Sequence, residues 1–193
     1  MGKFECCFRI WDFCNSIYCS KIVPRFDSLA NLVESIISQQ LSVKASDTIF
    51  KRLLALLPIA WTAHHLAKLT VVELRAIGVS SSKATYLHAA AEYFIAHEAD
   101  LTRIHTFPDD QIITQLTQIK GVGRWTAEMM LIFTFARPDV FSLGDLGLRS
   151  AIEKLYQIPR ADLKQIDQLS LQWKPFRSYA SRYLWRSLEN KTS

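Results

Sequence analysis

The stretch IKGVGRWTAEMMLIF, residues Ile119 to Phe133, decides how this sequence is read. Gly121 and Gly123 are two of only six glycines in 193 residues, and they flank a single valine. Glycine serves where backbone must turn sharply or where another molecule comes close to it. Arg124, Trp125 and an apolar run with helical spacing follow. A tight turn that opens a helix leaves backbone N–H groups pointing outward, available to an anion. The glycines alone are equally compatible with an ordinary helix–helix connection, so the flanking sequence has to decide.

Those flanks are helical in both directions. Pro108-Asp109-Asp110 opens a helix expected to end near Thr117, and the run after the turn is expected to reach about Ala136, where Arg137-Pro138 stops it. Upstream, Asp27 or Ser28 can cap a segment that places Leu29, Leu32, Val33, Ile36 and Ile37 on one face. That segment continues to Pro58 with a break near Leu41–Ser42. Thr70-Val-Val-Glu73 is a capping box with Gly78 as its stop, and Ser80 to Ser82 begin a helix running toward Phe94. Downstream, SLGDLGLRSAIEKLY, PRADLKQIDQLSL and KPFRSYASRYLWRSLE supply three more. No stretch sustains period-two alternation, and neither an internal repeat nor a low-complexity linker is present. The expected fold class is all-α, with residues 1–27 patterned for neither helix nor strand.

Composition narrows the classes of function. Apolar residues make up 49% and charged residues 21%, which excludes a disordered chain, and the length allows one domain or two lobes sharing a core. The net charge of +5 suits a polyanionic partner without demanding one. Near the end, Lys174, Arg177, Arg182, Arg186 and Lys191 interleave with Trp173, Phe176, Tyr179, Tyr183 and Trp185, as in a segment that follows a phosphate backbone or in a helix with one aromatic core side. Cys6, Cys7, Cys14 and Cys19 are the only cysteines, so no disulfide can brace the later chain, and a reducing, intracellular setting is expected. Neither they nor His64, His65, His88, His97 and His105 have metal-ligand spacing, so no metal is expected. Glu5, Arg9 and Asp12 interrupt any apolar run at the start, and no window reaches the length of a membrane span.

Helix, Gly-Val-Gly turn, helix is a helix-hairpin-helix, spanning about 109–136, and with it the chain resembles the HhH-GPD superfamily of DNA base-excision glycosylases. It is most similar to the alkylation-repair branch typified by 3-methyladenine DNA glycosylase II and shorter yeast-type relatives. Three blocks carry the likeness: LVESIISQQLSVKASDTIFKRL, IKGVGRWTAEMMLIF with DVFSLGDLGLR, and WKPFRSYASRYLW. The resemblance spans about Phe26 to Glu189 and implies a glycosylase domain over residues 28–193. The implied fold has two helical lobes, residues 28 to 137 forming most of one and the two ends the other, with DNA bound between them and a damaged nucleotide rotated out of the stack. The iron–sulfur cluster of some members needs four C-terminal cysteines, and none follows Cys19, so no cluster is expected. The chain departs from glycosylase II in showing no β-rich region before its helices, and residues 1–25 do not match the helix expected there.

The likeness implies roles residue by residue. Asp145 matches the aspartate after the hairpin and is expected to be catalytic, although an acid before an apolar helix is also a common N-cap. Trp125 stands where strand-cleaving members carry a Schiff-base lysine, which implies a monofunctional enzyme without lyase activity. Trp125 and Trp185, with Met129 one turn on, are expected to line the pocket for a cationic methylated purine, core packing being the alternative for each. Lys120, Gly121, Val122, Gly123, Arg124 and Thr126 are expected to form the phosphate-binding hairpin, where a monovalent cation could join backbone to phosphate. Gln39, Gln40 and Leu41 are expected to form the minor-groove wedge, with Gln40 foremost. Arg177 and Ser178 match the family pattern without an evident role. The implied activity is release of alkylated purines such as 3-methyladenine or 7-methylguanine from duplex DNA by a monomer, in a bacterial cytoplasm or a nucleus. The competing readings are a non-catalytic DNA clamp and a glycosylase for another lesion such as hypoxanthine or ethenoadenine.

Overall fold

A computed structural model describes residues 27–189; residues 1–26, and with them all four cysteines, lie outside the described part. Asp27 does cap the first helix, its Oδ1 accepting the Ala30 N–H at 2.8 Å. Helix α1 (Ser28–Ser38) buries Leu29, Leu32, Val33, Ile36 and Ile37, the face read from the sequence. The break falls where the two glutamines sit: Gln40 adopts a left-handed φ of 58°, and α2 (Val43–Leu56) restarts with Ser42 as its cap. The Thr70–Glu73 box opens α4 (Val71–Ala76), with the Thr70 N–H donating to Glu73 Oε2 at 2.7 Å, and Gly78 ends it at φ 104°. Before it lies α3 (Ala63–Lys68), a helix the sequence reading did not expect. It buries only Leu66, too little for a periodic signal, and its capping partner is His65 Nδ1, which takes the place a glutamate usually fills.

Helix α5 (Ser81–Ala96) is the hub of this half, with α1, α3 and α4 packed against it. The short α6 (Glu98–Thr102), a second helix not foreseen, follows with a single 3₁₀ turn, and α7 (Asp109–Leu116) leads into the glycine turn. Helix α8 (Arg124–Phe133) ends three residues before the expected Ala136. The chain reverses there because Ala136 takes a left-handed φ of 55° and the Arg137 N–H bonds back to the Leu131 carbonyl at 2.8 Å. The remaining helices are α9 (Leu146–Tyr156), α10 (Leu163–Leu171) and α11 (Arg177–Glu189). Among the described residues the fold is helical with no strand, and no helix is long and apolar enough to cross a membrane.

The described chain divides into two compact units between Met130 and Leu131, inside α8 rather than near residue 137. In the second unit α9 packs on α11 around Leu148, Ile152, Ile166, Trp173 and Leu184. The start of α11 is stapled to the loop that precedes α9. The Arg177 guanidinium grips the Asp139 carboxylate with two bonds, Nε to Oδ1 at 2.7 Å and Nη2 to Oδ2 at 3.0 Å. Ser178 Oγ accepts the Val140 N–H at 2.9 Å and its own N–H donates to the Pro138 carbonyl. These two residues, whose purpose the sequence left open, fix the loop.

Burial alone raises the Asp139 carboxyl, but the hydrogen bonds and charge of Arg177, with Lys174 beyond, outweigh it and hold it below the ordinary carboxylate range. A depressed acid stabilises the fold above its unfolded pKa, and that contribution disappears as pH falls through the folded value. Asp139→Asn should therefore lower stability by about 1 kcal/mol at pH 7, a figure reduced from a buried pair because the side chains are partly exposed. Urea midpoints of parent and variant should converge as pH drops below about 4.

Candidate functional site

The glycine turn is a bend the fold enforces at one glycine and leaves open at the other. Gly121 has a φ of 89°, and a Cβ there would fall among the ring atoms of Tyr86, which α5 lays across it. Ile119 and Val122 are buried. Gly123 has an unexceptional φ, and a Cβ added to it meets nothing within 4 Å. Its carbonyl accepts the first helical bond, from the Ala127 N–H at 3.1 Å, so the amides of residues 123 to 126 precede the ladder of α8 at its positive end. Lys120 is exposed beside the turn. Arg124 is 70% exposed but tied by Nε to Glu128 Oε1 at 2.9 Å, an acid buried in α8 that the sequence reading passed over. Thr126 is 3% exposed, so its hydroxyl is turned away from the hairpin's outer surface.

The turn between α1 and α2 leans on this hairpin. Gln39 Nε2 donates to the Gly121 carbonyl at 3.1 Å across 82 residues of sequence. Gln39 is thus turned onto the bend and half-buried, while Gln40 and Leu41, the other two residues expected in the wedge, are exposed. Lys83 from α5 holds the same turn, its Nζ donating to the Ile37 and Gln39 carbonyls at 2.7 and 2.6 Å. Burial pushes the Lys83 pKa down from the ordinary lysine value. A carbonyl has two lone pairs, so a monovalent cation at the bend is compatible with the Gln39 bond to Gly121. Among the described residues, no group of three or more His, Cys, Asp or Glu side chains is placed to hold a metal.

Trp125 stands in the first turn of α8 with 43% of its surface exposed, and Met129, half-buried, sits one turn further. Both belong to the first unit, whereas Asp145 and Trp185 belong to the second. Asp145 is 8% exposed and caps α9, its Oδ1 accepting the Leu148 N–H at 2.7 Å. The same oxygen accepts the Trp185 indole N–H at 2.9 Å. The cap and the candidate catalytic acid are thus one residue. The Trp185 ring itself tilts against Phe133 with centroids 5.6 Å apart. Gly147 makes this approach possible: a Cβ there would stand 3.1 Å from both Asp145 Oδ1 and Trp185 Cδ1. The sequence offered no sign of that requirement, since Gly147 lies at an ordinary helical position with no unusual backbone angle.

The sequence model described as "HhH-GPD superfamily base excision DNA repair protein" matches residues 33–176. The DNA-3-methyladenine glycosylase 1 of Schizosaccharomyces pombe is 33% identical over 168 residues, covering 81% of this chain and 70% of that protein. Among solved structures, a DNA-3-methyladenine glycosidase from Bacillus halodurans superposes with a TM-score of 0.78 at 31% identity, covering 93% of this chain and 83% of that one. The S. pombe 3-methyladenine DNA glycosylase Mag1, solved in complex with abasic DNA, gives 0.79 at 27% identity, covering 100% and 95%. The chain spans 44% of the length of one Bacillus subtilis relative and 35% of that of a Mycobacterium tuberculosis relative.

The two glycines of the bend should respond differently to the same substitution. Gly121→Ala combines a left-handed backbone with a clash against an aromatic ring and should cost about 2–4 kcal/mol. At Gly123 the reduced entropy of the unfolded chain offsets a poorer cap, so Gly123→Ala should stay within about 0.5 kcal/mol of the parent. Denaturant titration of both variants checks this.

Proposed function

Because this chain belongs to the HhH-GPD superfamily of base excision DNA repair proteins, we propose that it is a monofunctional DNA glycosylase acting on alkylated purines in duplex DNA. The observation that supports this most directly is the Asp145 carboxylate, nearly buried and gripped on one oxygen by a helix amide and an indole N–H. The activities for which its relatives are named, and a relative's complex with abasic DNA, support the same substrate class.

In this reading the amides of residues 123–126, with Lys120 and Arg124 beside them, take a backbone phosphate, which positions the protein without reading bases. Gln40 and Leu41 fill the space left when a nucleotide is swung out of the stack. The bond between the sugar's C1′ and the purine nitrogen then breaks with its electron pair going to the base. A 3-methyladenine or 7-methylguanine already carries positive charge, so it departs neutral and needs no proton. The cation left on the sugar is stabilised by Asp145, and water adds to C1′ while its proton passes to the carboxylate. Trp125 and Trp185 offer electron-rich indole faces to the cationic base, worth ~0.5–2 kcal/mol each, with Met129 alongside Trp125. No lysine occupies position 125, so no Schiff base forms and the strand is left intact. The protein acts as a monomer on double-stranded DNA and therefore where DNA is, in a cytoplasm or a nucleus.

Asp145→Asn separates the two duties of this residue, because asparagine caps a helix as well as aspartate does and keeps an acceptor for Trp185. It should fold normally and still bind duplex containing an abasic analogue, while release of free 3-methyladenine from methylated DNA falls at least about 100-fold. Base release at the parental rate would overturn the reading, and so would a parent protein that releases no base. Gly123→Ala, near-neutral for the fold, should weaken duplex affinity because its methyl group stands in the path of the phosphate.

A further inference from the structure

Helix α5 holds two loops at once. Tyr86 lies across Gly121 of the bend, and Lys83, one turn earlier on the same helix, donates to both carbonyls of the α1–α2 turn. Between the two loops runs one direct bond, Gln39 Nε2 to the Gly121 carbonyl. The next residue, Gln40, is forced into a left-handed conformation, and the Leu41 N–H bonds back to Ser38 at 3.1 Å. A non-glycine residue in this region is unfavourable unless its surroundings hold it there. The groups that hold the chain just before Gln40 are the Lys83 ammonium and the Gln39 amide.

We propose that Gln39 is a positioning residue that locks the spacing between the phosphate-binding bend and the gap-filling tip at Gln40–Leu41. The proposal rests on the glycosylase reading above and deepens it. Once the bend has taken a phosphate, the Gln39 bond fixes how far along the duplex the tip enters. A loose tip would have to be ordered on each encounter with an extruded nucleotide, whereas binding undamaged duplex through the bend makes no use of the tip. The tether therefore contributes to discrimination between DNA with a vacated stack and DNA without one.

Gln39→Met keeps the length and bulk of the side chain and removes its donor. The measurement is the ratio of two dissociation constants, for duplex carrying an abasic analogue and for the same duplex undamaged, with Gln40→Ala/Leu41→Ala as the variant lacking the tip. A merely destabilised protein has less active material, which scales both affinities equally and leaves the ratio alone. The proposal expects the preference for abasic duplex to fall about three- to tenfold in Gln39→Met, the size of one hydrogen bond. It also expects little further loss when Gln39→Met is added to the tip variant, because a tether without a tip has nothing to position. A parental ratio in Gln39→Met, or full additivity in the combined variant, overturns the tether while leaving the glycosylase reading intact. A wild-type protein with no preference for abasic duplex overturns both.

Discussion

The contact between the Tyr86 ring and the α-carbon of Gly121 sets the shape of the hairpin. It is a steric constraint: the ring occupies the space a side chain would need, and the left-handed backbone at Gly121 lets the chain pass beneath it. Because Tyr86 belongs to α5, against which α1, α3 and α4 pack, the bend inherits the rigidity of the helical core beneath it. Gly123 is under no comparable pressure from the protein. One glycine of the pair answers to the fold and the other to whatever meets the exposed start of α8. The same helix reaches the α1–α2 turn through Lys83, so two loops far apart in sequence share one support.

The second unit solves a similar problem with another helix. Helix α11 holds the loop before α9 at both ends, Arg177 and Ser178 at residues 138–140 and Trp185 at Asp145. Ser178 and Trp185 are seven residues apart, two helical turns, and so face the same way. Gly147 leaves the space into which the indole N–H reaches. The carboxylate is thereby set by a cap from its own helix and a donor from a neighbouring one, two independent restraints on a single oxygen.

Most of the helical order was legible because it is local. Apolar spacing in α1, the Thr70–Glu73 box, Gly78 as a stop and the pair of glycines around Val122 are each written within a few residues. The break expected near Leu41–Ser42 falls over residues 39–42, between α1 and α2. What was illegible depends on partners distant in sequence. Nothing near Gln39 reveals that its amide meets Gly121, and nothing near Arg177 reveals Asp139. Gly147 reads as a weak helical residue until Trp185 is in place beside it. Helices α3 and α6 escaped notice because segments of six and five residues bury too few side chains to show a period. The end of α8 was set three residues late, because Arg137-Pro138 marks where a helix must have ended, not the reversal at Ala136 that ends it.

The staple on Asp145 also has an order in time. During translation the acid emerges first, and Trp185 follows forty residues behind it. Until that tryptophan arrives, the carboxylate lacks the indole N–H, and Asp139 still awaits Arg177. The hairpin and its Tyr86 support are complete much earlier in synthesis. The restraints on the Gly121 bend are thus all in place before either restraint from α11 can reach the loop ahead of α9.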